Sequence, residues 1–407
     1  MILEQIKKEY LEKISSYLSN SEYDAYLKSF DNEITHGMSA NLNRLKKSKI
    51  DIDFLVKRFN LVNIYKNDNY AYYTYDKNEL EKNSVFPGKD PLYHVGLYYI
   101  QEPSAARPLF NIDIKKSDKV LDLCASPGGK SVEALYNLDL KEGGFLVSNE
   151  IDIGRAKTLS SNIERMGFDN AIVTCNNSKE LREVFYNCFD VVIVDAPCSG
   201  EGMFRKSEEA RLQWSNSLVK SCASIQKQLL EDGYHMLKVG GKLVYSTCTF
   251  SKEEDEENVD FLQSNFKDMK LLTMKKIYPF LGMGEGQFYA IFEKEEFNDN
   301  SNIEIAFTDD KLFKKLKSLR KGIPLNDDVN GRIIPSHAST HNEEIVFDYV
   351  VDLDDSEVLM YLHGDVIRKS LDINGWCKIT YKGLGLGLAK YSNGVLKNHY
   401  PKGLRLL

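Results

Sequence analysis

The sequence predicts an α/β fold in which helices cover both faces of a mostly parallel sheet. Short apolar runs alternate with helical patterns from about residue 118 to 294, and such alternation is typical of parallel sheets. The final strand follows a glycine-rich loop instead of a helix, so we expect it to be antiparallel and at or near the sheet edge. The predicted strands are 119–123, 145–149, 170–174, 190–194, 242–246 and 287–292. The predicted helices are 129–137, 153–166, 179–186, 220–238 and 253–265.

Smaller regions flank this core. Residues 1 to about 30 predict a helix, because apolar residues recur at Ile6, Tyr10, Ile14 and Leu18 without an intervening Pro or Gly. Residues 295–302 are polar and predict a linker. Short strands with glycine turns near the C-terminus predict a small β-rich barrel. The predicted domains are a small N-terminal α+β domain (1–105), the core (106–294), a linker module (303–345) and a C-terminal β-rich domain (346–407).

Composition excludes several classes of protein. The chain has 407 residues, of which 42% are hydrophobic and 28% charged, as in ordinary globular proteins. No apolar run approaches the roughly 18 residues that a membrane span needs, and residues 1–8 do not resemble a signal peptide. We therefore expect a cytoplasmic protein without membrane contact. Its seven scattered cysteines form no CxxC pair, which favours reduced thiols over disulfides or a metal site.

The net charge of −7 does not by itself suggest a nucleic-acid binder, but the charge distribution does. No acidic residue follows Asp372, whereas six basic residues lie between Lys378 and Arg405. A second basic cluster occupies 44–49. Local positive patches allow an acidic protein to bind phosphate. For 44–49 alone, a solvated face remains an equal alternative, whereas for the C-terminal tail we favour binding to the phosphates of a nucleic acid.

The first predicted strand of the core runs into a glycine loop and a helix start. Glycines allow close approach to a ligand, and a helix N-terminus favours negative charge. The loop matches neither GxGxxG nor a Walker loop. Glu150 ends the next strand, where an acidic residue typically accepts hydrogen bonds from ribose hydroxyls. Together these features predict a site for a ligand with an adenosine ribose, although a helix-capping role for Glu150 is an alternative.

Two strand ends also carry a cysteine. Asp195 and Cys198 follow the strand at 190–194, and Cys248 follows the strand at 242–246. Ligands of open α/β sheets sit at the carboxyl ends of the strands. Buried core positions would explain the other cysteines at 175, 188, 222 and 377 equally well, and Cys124 suits the wall of a binding loop.

Such a pair of cysteines suits methylation of cytosine at carbon 5. This carbon is a poor nucleophile until a thiolate adds to carbon 6 and converts the ring to an enamine that can attack an activated methyl group. A carboxyl such as Asp195 can stabilise the charge that develops at ring nitrogen N3. The base must leave its stack to reach the pocket.

With these residues in place, the sequence resembles the Sun-type RNA cytosine-C5 methyltransferases, and within them the bacterial RsmF-like ribosomal RNA enzymes. The resemblance covers nearly the whole chain, and its two-cysteine pair is highly specific. It implies a Rossmann-like S-adenosylmethionine methyltransferase core and a C-terminal PUA-like RNA-binding domain. The matching motifs lie at 99–105, 124–130, Glu150, 195–202, 246–250, 283–288 and 397–405.

The resemblance also implies roles for individual residues. Cys248 would be the nucleophile, Cys198 would assist release of the methylated base, and Asp195 would contact the base and line the donor pocket. In place of the family's aspartate that reaches the adenine, this chain has Asn177, which the resemblance identifies as the aligned residue. The remaining residues implied for S-adenosylmethionine are Cys124, Ala125, Ser126, Pro127, Gly128, Gly129, Lys130 and Glu150.

The resulting hypothesis is an S-adenosylmethionine-dependent methyltransferase of ribosomal RNA, most closely resembling those of the small subunit, and a monomer. Three alternatives remain. One is a non-catalytic RNA-binding assembly factor with the same fold, and a weaker one is a nucleotide-dependent oxidoreductase. The third is a DNA methyltransferase, because Glu257-Asn258-Val259 matches a tripeptide of those enzymes. That tripeptide lies in an acidic helical stretch and not at a strand end, so we interpret it as a chance match.

Overall fold

The computed structural model describes residues 2–295 and 302–406. Its strands are β1 (His36–Asn41), β2 (Val62–Lys66), β3 (Tyr70–Tyr75), β4 (Tyr98–Ile100), β5 (Lys119–Asp122), β6 (Phe145–Asn149), β7 (Ala171–Thr174), β8 (Phe189–Asp195), β9 (Leu237–Thr247), β10 (Met269–Ile277), β11 (Gln287–Lys294), β12 (Ser318–Lys321), β13 (Asn326–Val329), β14 (Arg332–Pro335), β15 (Val350–Leu353), β16 (Ile367–Arg368), β17 (Gly375–Tyr381), β18 (Leu384–Ser392) and β19 (Val395–Asn398). Its α-helices are α1 (Lys8–Ser15), α2 (Asn20–Ser29), α3 (Leu42–Leu45), α4 (Ile52–Phe59), α5 (Lys77–Lys82), α6 (Pro91–His94), α7 (Pro103–Ala106), α8 (Gly129–Leu135), α9 (Ile153–Arg165), α10 (Ser178–Val184), α11 (Glu208–Gln213), α12 (Asn216–Met236), α13 (Glu256–Asn265), α14 (Asp310–Phe313), α15 (His337–Thr340) and α16 (Asp355–His363).

The chain forms two compact units. The first consists of Met1–Gly37, Gln101–Lys157 and Ile172–Leu319, and the second of Met38–Ile100, Thr158–Ala171 and Arg320–Leu407. Each unit is assembled from three separate segments of the chain, so the two units do not correspond to the four predicted domains. The boundaries of those domains stay a prediction. Most of the predicted linker at 295–302 lies outside the described residues.

The first unit is built on an eight-stranded sheet with the order β10-β11-β9-β8-β5-β6-β7-β12. Strands β9, β8, β5 and β6 pair in parallel, and β11 pairs antiparallel with β9 and β10. All six predicted strands are present, and the prediction that the last is antiparallel and near the edge is confirmed. The edge strands β10 and β12 were not predicted. Alternate residues of β10 are exposed, as expected where only one face of an edge strand packs on the protein.

The predicted helices cover this sheet with small shifts at their ends. The predicted N-terminal helix is in fact two helices, α1 and α2. The break lies at Ser19, whose hydroxyl accepts from the Glu22 N–H while the Glu22 carboxylate accepts from the Ser19 N–H. This capping box starts a new helix inside an uninterrupted apolar pattern. Similarly, α12 begins four residues earlier than predicted because the Ser215 side chain accepts from the Leu218 N–H.

Apolar side chains of the inner strands form the main core of the first unit. Leu121, Val192, Leu243 and Phe288 are almost fully buried in it. Burying each such side chain stabilises the fold by about 1.5–3 kcal/mol. The sheet is therefore a rigid platform for the segments at its carboxyl edge.

A second apolar cluster holds the N-terminal helices against the segment after β9. Tyr10 of α1 contacts Trp214 edge to face at 5.3 Å between ring centroids, and the Tyr10 and Tyr26 hydroxyls are hydrogen-bonded at 2.7 Å. Phe250 lies in the same cluster. The chain just beyond Cys248 is thus anchored in buried aromatic packing.

The second unit contains three further sheets among the described residues. The four-stranded sheet has the order β2-β3-β1-β4, the five-stranded sheet has the order β15-β17-β18-β19-β16, and β13 and β14 form an antiparallel pair. In the five-stranded sheet β15 pairs in parallel with β17, whereas the other pairs are antiparallel. The prediction of a β-rich C-terminal region with glycine turns is confirmed, and among the described residues β15 and β16 are the edge strands of this sheet. Apolar residues of the four-stranded and five-stranded sheets and of α16 form the core of this unit.

Candidate active site

The candidate residues meet at the carboxyl edge of the central sheet, where the strand order reverses. From β5 the chain crosses through α8 to β6 on one side, whereas β8 and β9 lie on the other side of β5. Such a reversal leaves a crevice between the segments that follow the two diverging strands. The segments after β5, β6, β8 and β9 all border this crevice.

The two cysteine-bearing segments are held together by the strands before them and by direct hydrogen bonds. Residue Asp195 at the end of β8 is in register with Ser246 of β9. Beyond the strands, the Gly202 N–H donates to the Cys248 carbonyl over 2.8 Å, and the Ser199 and Thr249 hydroxyls are hydrogen-bonded at 2.8 Å. As a result, the Cys198 and Cys248 sulfurs lie 3.3 Å apart.

Gly202 and Glu201 explain why the motif continues past Cys198. A Cβ atom on Gly202 would lie 2.7 Å from the Gly286 carbonyl oxygen and 3.1 Å from that of Cys248, so only glycine fits. The buried Glu201 carboxylate accepts from the Phe250 N–H and the Trp214 indole N–H, each over 2.9 Å. This pair of residues therefore fixes the backbone from the Cys248 carbonyl to Phe250.

The two thiols have different electrostatic surroundings. Their mutual hydrogen bond, together with burial, raises the pKa of Cys198 well above its usual value, and the nearby Glu254 carboxylate acts in the same direction. The two sulfurs are within hydrogen-bond distance, and either thiol can be the donor. All seven cysteines of the chain are free.

Asp195 lines the same cavity as the two sulfurs and is oriented by three donors. The Lys130 ammonium contacts one carboxylate oxygen at 2.9 Å, and the Ser246 hydroxyl donates to the other over 2.7 Å. The Gln287 amide reaches that second oxygen at 3.5 Å. Burial by itself lowers the pKa of Lys130, but the adjacent Asp195 carboxylate, together with Glu133 and Asp122, raises that pKa overall. Lys130 and Asp195 form an ion pair, in which Lys130 is 3% exposed and Asp195 38% exposed.

The glycine loop after β5 leads into α8, which begins at Gly129 with Gly128 as its N-cap. Beneath the loop, burial raises the pKa of Asp122 to about 7. The Ser131 hydroxyl donates to this carboxyl over 2.7 Å and is also hydrogen-bonded to Ser148. A buried carboxyl thus links the loop to β6.

Glu150 lies just after β6 and is 3% exposed. One carboxylate oxygen accepts from the Asp152 N–H over 3.0 Å, and the other contacts the Arg155 guanidinium at 3.3 Å. The carboxylate is held by its neighbours at the border of the crevice. This is the position of a ribose-binding acid in the sequence-based hypothesis.

A cavity of about 580 Å³ fills the crevice. This volume lies in the usual range for small-molecule sites. Of the residues predicted from sequence, those that line it are Cys124, Ser126, Glu150, Asn177, Asp195, Cys198 and Cys248. Ala125, Pro127, Gly128, Gly129 and Lys130 do not line it, and Lys130 instead reaches Asp195. Lining residues that the sequence analysis missed include Ala105, Asn149, Ile151, Asn176, Met203, Ile225, Leu229 and Gln287.

Asn177 also has a structural role. It is the N-cap of α10, and its side-chain oxygen accepts from the Glu180 N–H over 2.9 Å. The neighbouring Asn176 is buried, and its amide donates to the Glu180 carboxylate over 3.0 Å. Two amides therefore border the cavity where the resemblance predicted one residue in place of an aspartate.

The motifs at 99–105 and 283–288 contact each other. The Glu102 carboxylate accepts from the Glu285 N–H over 2.8 Å, and the Ser104 hydroxyl accepts from the Gly286 N–H over 3.2 Å. Gly284 has a φ of +131°, and a Cβ atom there would lie 2.2 Å from Glu102. These contacts fix the turn that leads to Gln287.

The basic residues differ in their availability. Arg44 is buried, donates to the Met166 carbonyl over 2.8 Å and pairs with Glu343 at 3.2 Å. Lys49 pairs with Asp352 at 2.7 Å. The cluster at 44–49 is thus partly structural. In the C-terminal tail Lys378 is also buried, whereas Lys390, Lys397 and Lys402 are exposed.

Among the described residues, no helix is both long and apolar enough to cross a membrane.

Comparison with known proteins identifies three consecutive family matches along the chain. Residues 6–103 match the N-terminal domain of the 16S rRNA methyltransferase RsmF. Residues 110–301 match the family of the 16S rRNA methyltransferase RsmB/F, and residues 348–406 match the PUA domain of the methyltransferase RsmF.

Relatives show the same similarity. The chain is 28% identical over 379 residues to a ribosomal RNA small subunit methyltransferase F of Shewanella piezotolerans, covering 76% of this chain and 79% of that protein. It is 42% identical over 191 residues to the protein of the same name from Vibrio campbellii, covering 46% of this chain but only 39% of that protein.

Solved structures share the fold. A methyltransferase homolog from Pyrococcus horikoshii is 25% identical with a TM-score of 0.53, covering 71% of this chain and 100% of that chain. The structure of NSun6 from the same organism with SFG, an analogue of S-adenosylmethionine, is 20% identical with a TM-score of 0.57 and covers 72% of this chain and 100% of that chain. The core is a Rossmann-like S-adenosylmethionine-dependent methyltransferase fold, and with its RsmF-type N-terminal and PUA domains the chain belongs to the RsmB/F family of methyltransferases.

Proposed function

We propose that this protein transfers a methyl group from S-adenosylmethionine to carbon 5 of a cytosine in 16S ribosomal RNA. The observation that carries the proposal is the pair of free thiols of Cys198 and Cys248, 3.3 Å apart, in a cavity that Asp195 also lines. A carboxylate and two thiols around one cavity match the chemical needs of covalent C5 methylation. The names of the relatives support the choice of small-subunit RNA.

The residues around the cavity fit S-adenosylmethionine. Glu150 offers carboxylate oxygens to ribose hydroxyls, and Ile151 and Leu229 offer apolar walls to a flat base. Asn176 and Asn177 offer amides in place of the family's aspartate, and Cys124 and Ser126 border the same space. When bound, S-adenosylmethionine supplies an electrophilic methyl group.

The side chains of this chain would then divide the work on the base. The Cys248 thiolate adds to carbon 6 of cytosine, which makes carbon 5 nucleophilic. As charge develops on the ring, N3 takes up a proton from water, and the Asp195 carboxylate, which Lys130 and Ser246 keep in place, accepts a hydrogen bond from the resulting N3–H. Once carbon 5 carries the methyl group, a water molecule of the cavity accepts its remaining proton, and the electron pair of that C–H bond expels Cys248 from carbon 6 as a thiolate. The Cys198 thiol lies 3.3 Å from this sulfur and can donate a hydrogen bond to it as it departs, which assists release.

RNA binding is assigned to the PUA domain at 348–406 and its exposed lysines. Phosphate contacts of such residues supply affinity without sequence specificity. We further propose that the protein acts in the cytoplasm on ribosomal RNA or the assembling small subunit, as a monomer.

The test is transfer of labelled methyl groups to unmodified 16S and 23S RNA and to 30S particles, followed by nucleoside analysis. We expect label in 5-methylcytosine of 16S RNA or 30S particles, and none with Cys248→Ala. Cys198→Ala should trap a covalent protein–RNA adduct that survives denaturant. Cys222→Ala, a matched thiol on α12, should behave as wild type. RNA binding without transfer to any substrate would instead favour a non-catalytic assembly factor.

A further inference from the structure

The two peptide groups that flank Cys198 are held by one buried pair of side chains. The Gln226 amide of α12 donates to the Pro197 carbonyl over 2.9 Å. The Ser199 N–H donates to the Glu254 carboxylate over 3.0 Å. Gln226 and Glu254 are themselves hydrogen-bonded at 2.9 Å. One connected pair of side chains therefore binds the backbone on both sides of Cys198.

Asn258 fixes the orientation of this pair. Its amide N–H donates to the Gln226 side-chain oxygen over 2.8 Å. Because that oxygen is occupied, the NH₂ group of Gln226 must face Pro197 and Glu254. Asn258 also donates to the Tyr245 hydroxyl at 3.0 Å, which ties the pair to β9. The tripeptide 257–259, dismissed as a chance match to DNA methyltransferases, thus has a structural role through Asn258.

Because the three side chains are buried, losing any one of these hydrogen bonds is costly in free energy. Gln226, Glu254 and Asn258 are all 0% exposed. Desolvation raises the pKa of Glu254 to about 7, whereas its hydrogen bonds with Ser199 and Gln226 favour the charged form. Buried polar groups that lose a partner cannot turn to water, so each member of the network depends on the others. None of the three side chains lines the cavity, so they act on the reaction through the backbone of Cys198 and, in the case of Glu254, also through its charge near the Cys198 thiol.

We propose that Gln226 and Glu254 are positioning residues that hold Cys198 at the Cys248 sulfur and thereby set the rate at which the methylated RNA is released. The inference rests on the proposed function, since it assigns Cys198 to release. Loss of the pair would let the Pro197–Ser199 segment relax away from Cys248 while leaving Cys248, Asp195 and Glu150 in place. The expected effect is therefore selective for release over methyl transfer.

The experiment measures both steps in single turnovers, using full-length protein, labelled S-adenosylmethionine and the RNA that accepts methyl groups. Gln226→Met removes both donors, and Glu254→Met removes both acceptors. We expect either variant to slow decay of the methylated adduct about tenfold, the size expected for one lost buried hydrogen bond, with methyl transfer changed less than about threefold. Glu254→Gln retains an oxygen for the Ser199 N–H and should restore release. Glu257→Gln, an exposed change on α13, serves as the control.

The possible outcomes distinguish failure of the positioning role from failure of the proposed function. Wild-type release by Gln226→Met, or equal slowing of transfer and release, would overturn the positioning role. Because buried polar changes can disturb folding, binding of S-adenosylmethionine and thermal melting are measured on each variant, and Glu254→Gln provides the conservative comparison. If neither wild type nor Cys198→Ala forms an adduct, the proposed function fails, and the positioning role fails with it.

Discussion

Breaking the ion pair between Lys130 and Asp195 should lower the free energy of unfolding more when Asp195 is replaced than when Lys130 is replaced. Lys130 is 3% exposed, whereas Asp195 is 38% exposed and also receives the Ser246 hydroxyl. Replacing Asp195 by Asn leaves a buried ammonium without its ion-pair partner at 2.9 Å. Replacing Lys130 by Met leaves a carboxylate that still has water and a hydroxyl donor.

The magnitudes follow from this asymmetry. Breaking a fully buried pair from one side costs about 3–5 kcal/mol, and the solvent at Asp195 reduces this to about 2–3 kcal/mol for Asp195→Asn. Lys130→Met should cost about 1 kcal/mol, close to a half-exposed pair. The double variant should be more stable than the sum of the two losses predicts, by about 1 kcal/mol or more.

The assay is urea unfolding followed by fluorescence. The chain has two tryptophans, and Trp214 is fully buried in the first unit. In a Trp376→Phe background, the emission therefore reports on the unit that contains the pair. Equal losses for the two single variants, or strictly additive losses in the double variant, would refute the reasoning.

Three further outcomes are expected. Gly202→Ala should destabilise the first unit by about 1–3 kcal/mol and reduce methyl transfer, because its Cβ atom would meet two backbone oxygens. Gly403→Ala is the control, since a Cβ atom at Gly403 meets no other atom within 4 Å, and it should change neither property in the same unfolding and transfer assays. Hydrogen peroxide should oxidise the Cys198 and Cys248 thiols to a disulfide, forming two waters, and activity should be lost and then restored by dithiothreitol. Peptide mapping should find the disulfide, and its absence would contradict the 3.3 Å separation of the sulfurs. The pKa of Asp122 is about 7 in the folded protein and about 3.9 in the unfolded chain. The contribution of the protonated Asp122 to the free energy of unfolding is therefore full below about pH 4 and is lost as the pH rises to about 7. The stability of wild type relative to Asp122→Asn, measured by urea unfolding from pH 4 to 8, should fall over that range, and a constant difference would contradict the shift.

The central sheet was predictable because its inner strands are short, continuous apolar runs. Strands such as β8 are buried on both faces, and this gives a strong local signal. Strand β10 mixes lysines with apolar residues along an exposed edge, so the same signal is absent. The break between α1 and α2 depends on one capping box, which an otherwise helical pattern conceals.

Within the site, Asp195, Cys198 and Cys248 could be predicted because each directly follows a strand. The partnership of Lys130 with Asp195 required the three-dimensional structure, since the sequence placed Lys130 with the cofactor. Gln226 could not be singled out either. It lies in the middle of a long helix, and its partners Pro197 and Glu254 are about 30 residues away on either side. The roles of all these residues in catalysis stay predictions until the variants are measured.

The register between β8 and β9 also bears on how the chain can vary. The two strands are hydrogen-bonded with Asp195 opposite Ser246, and each thiol follows within three residues of that pair. The forty-odd residues between the strands, including α11, make a long excursion before β9 returns to the edge of β8. Insertions or deletions near α11 would therefore leave the spacing of the sulfurs unchanged. A one-residue insertion inside either strand would shift one thiol by a full strand step of about 3.3 Å and separate the pair.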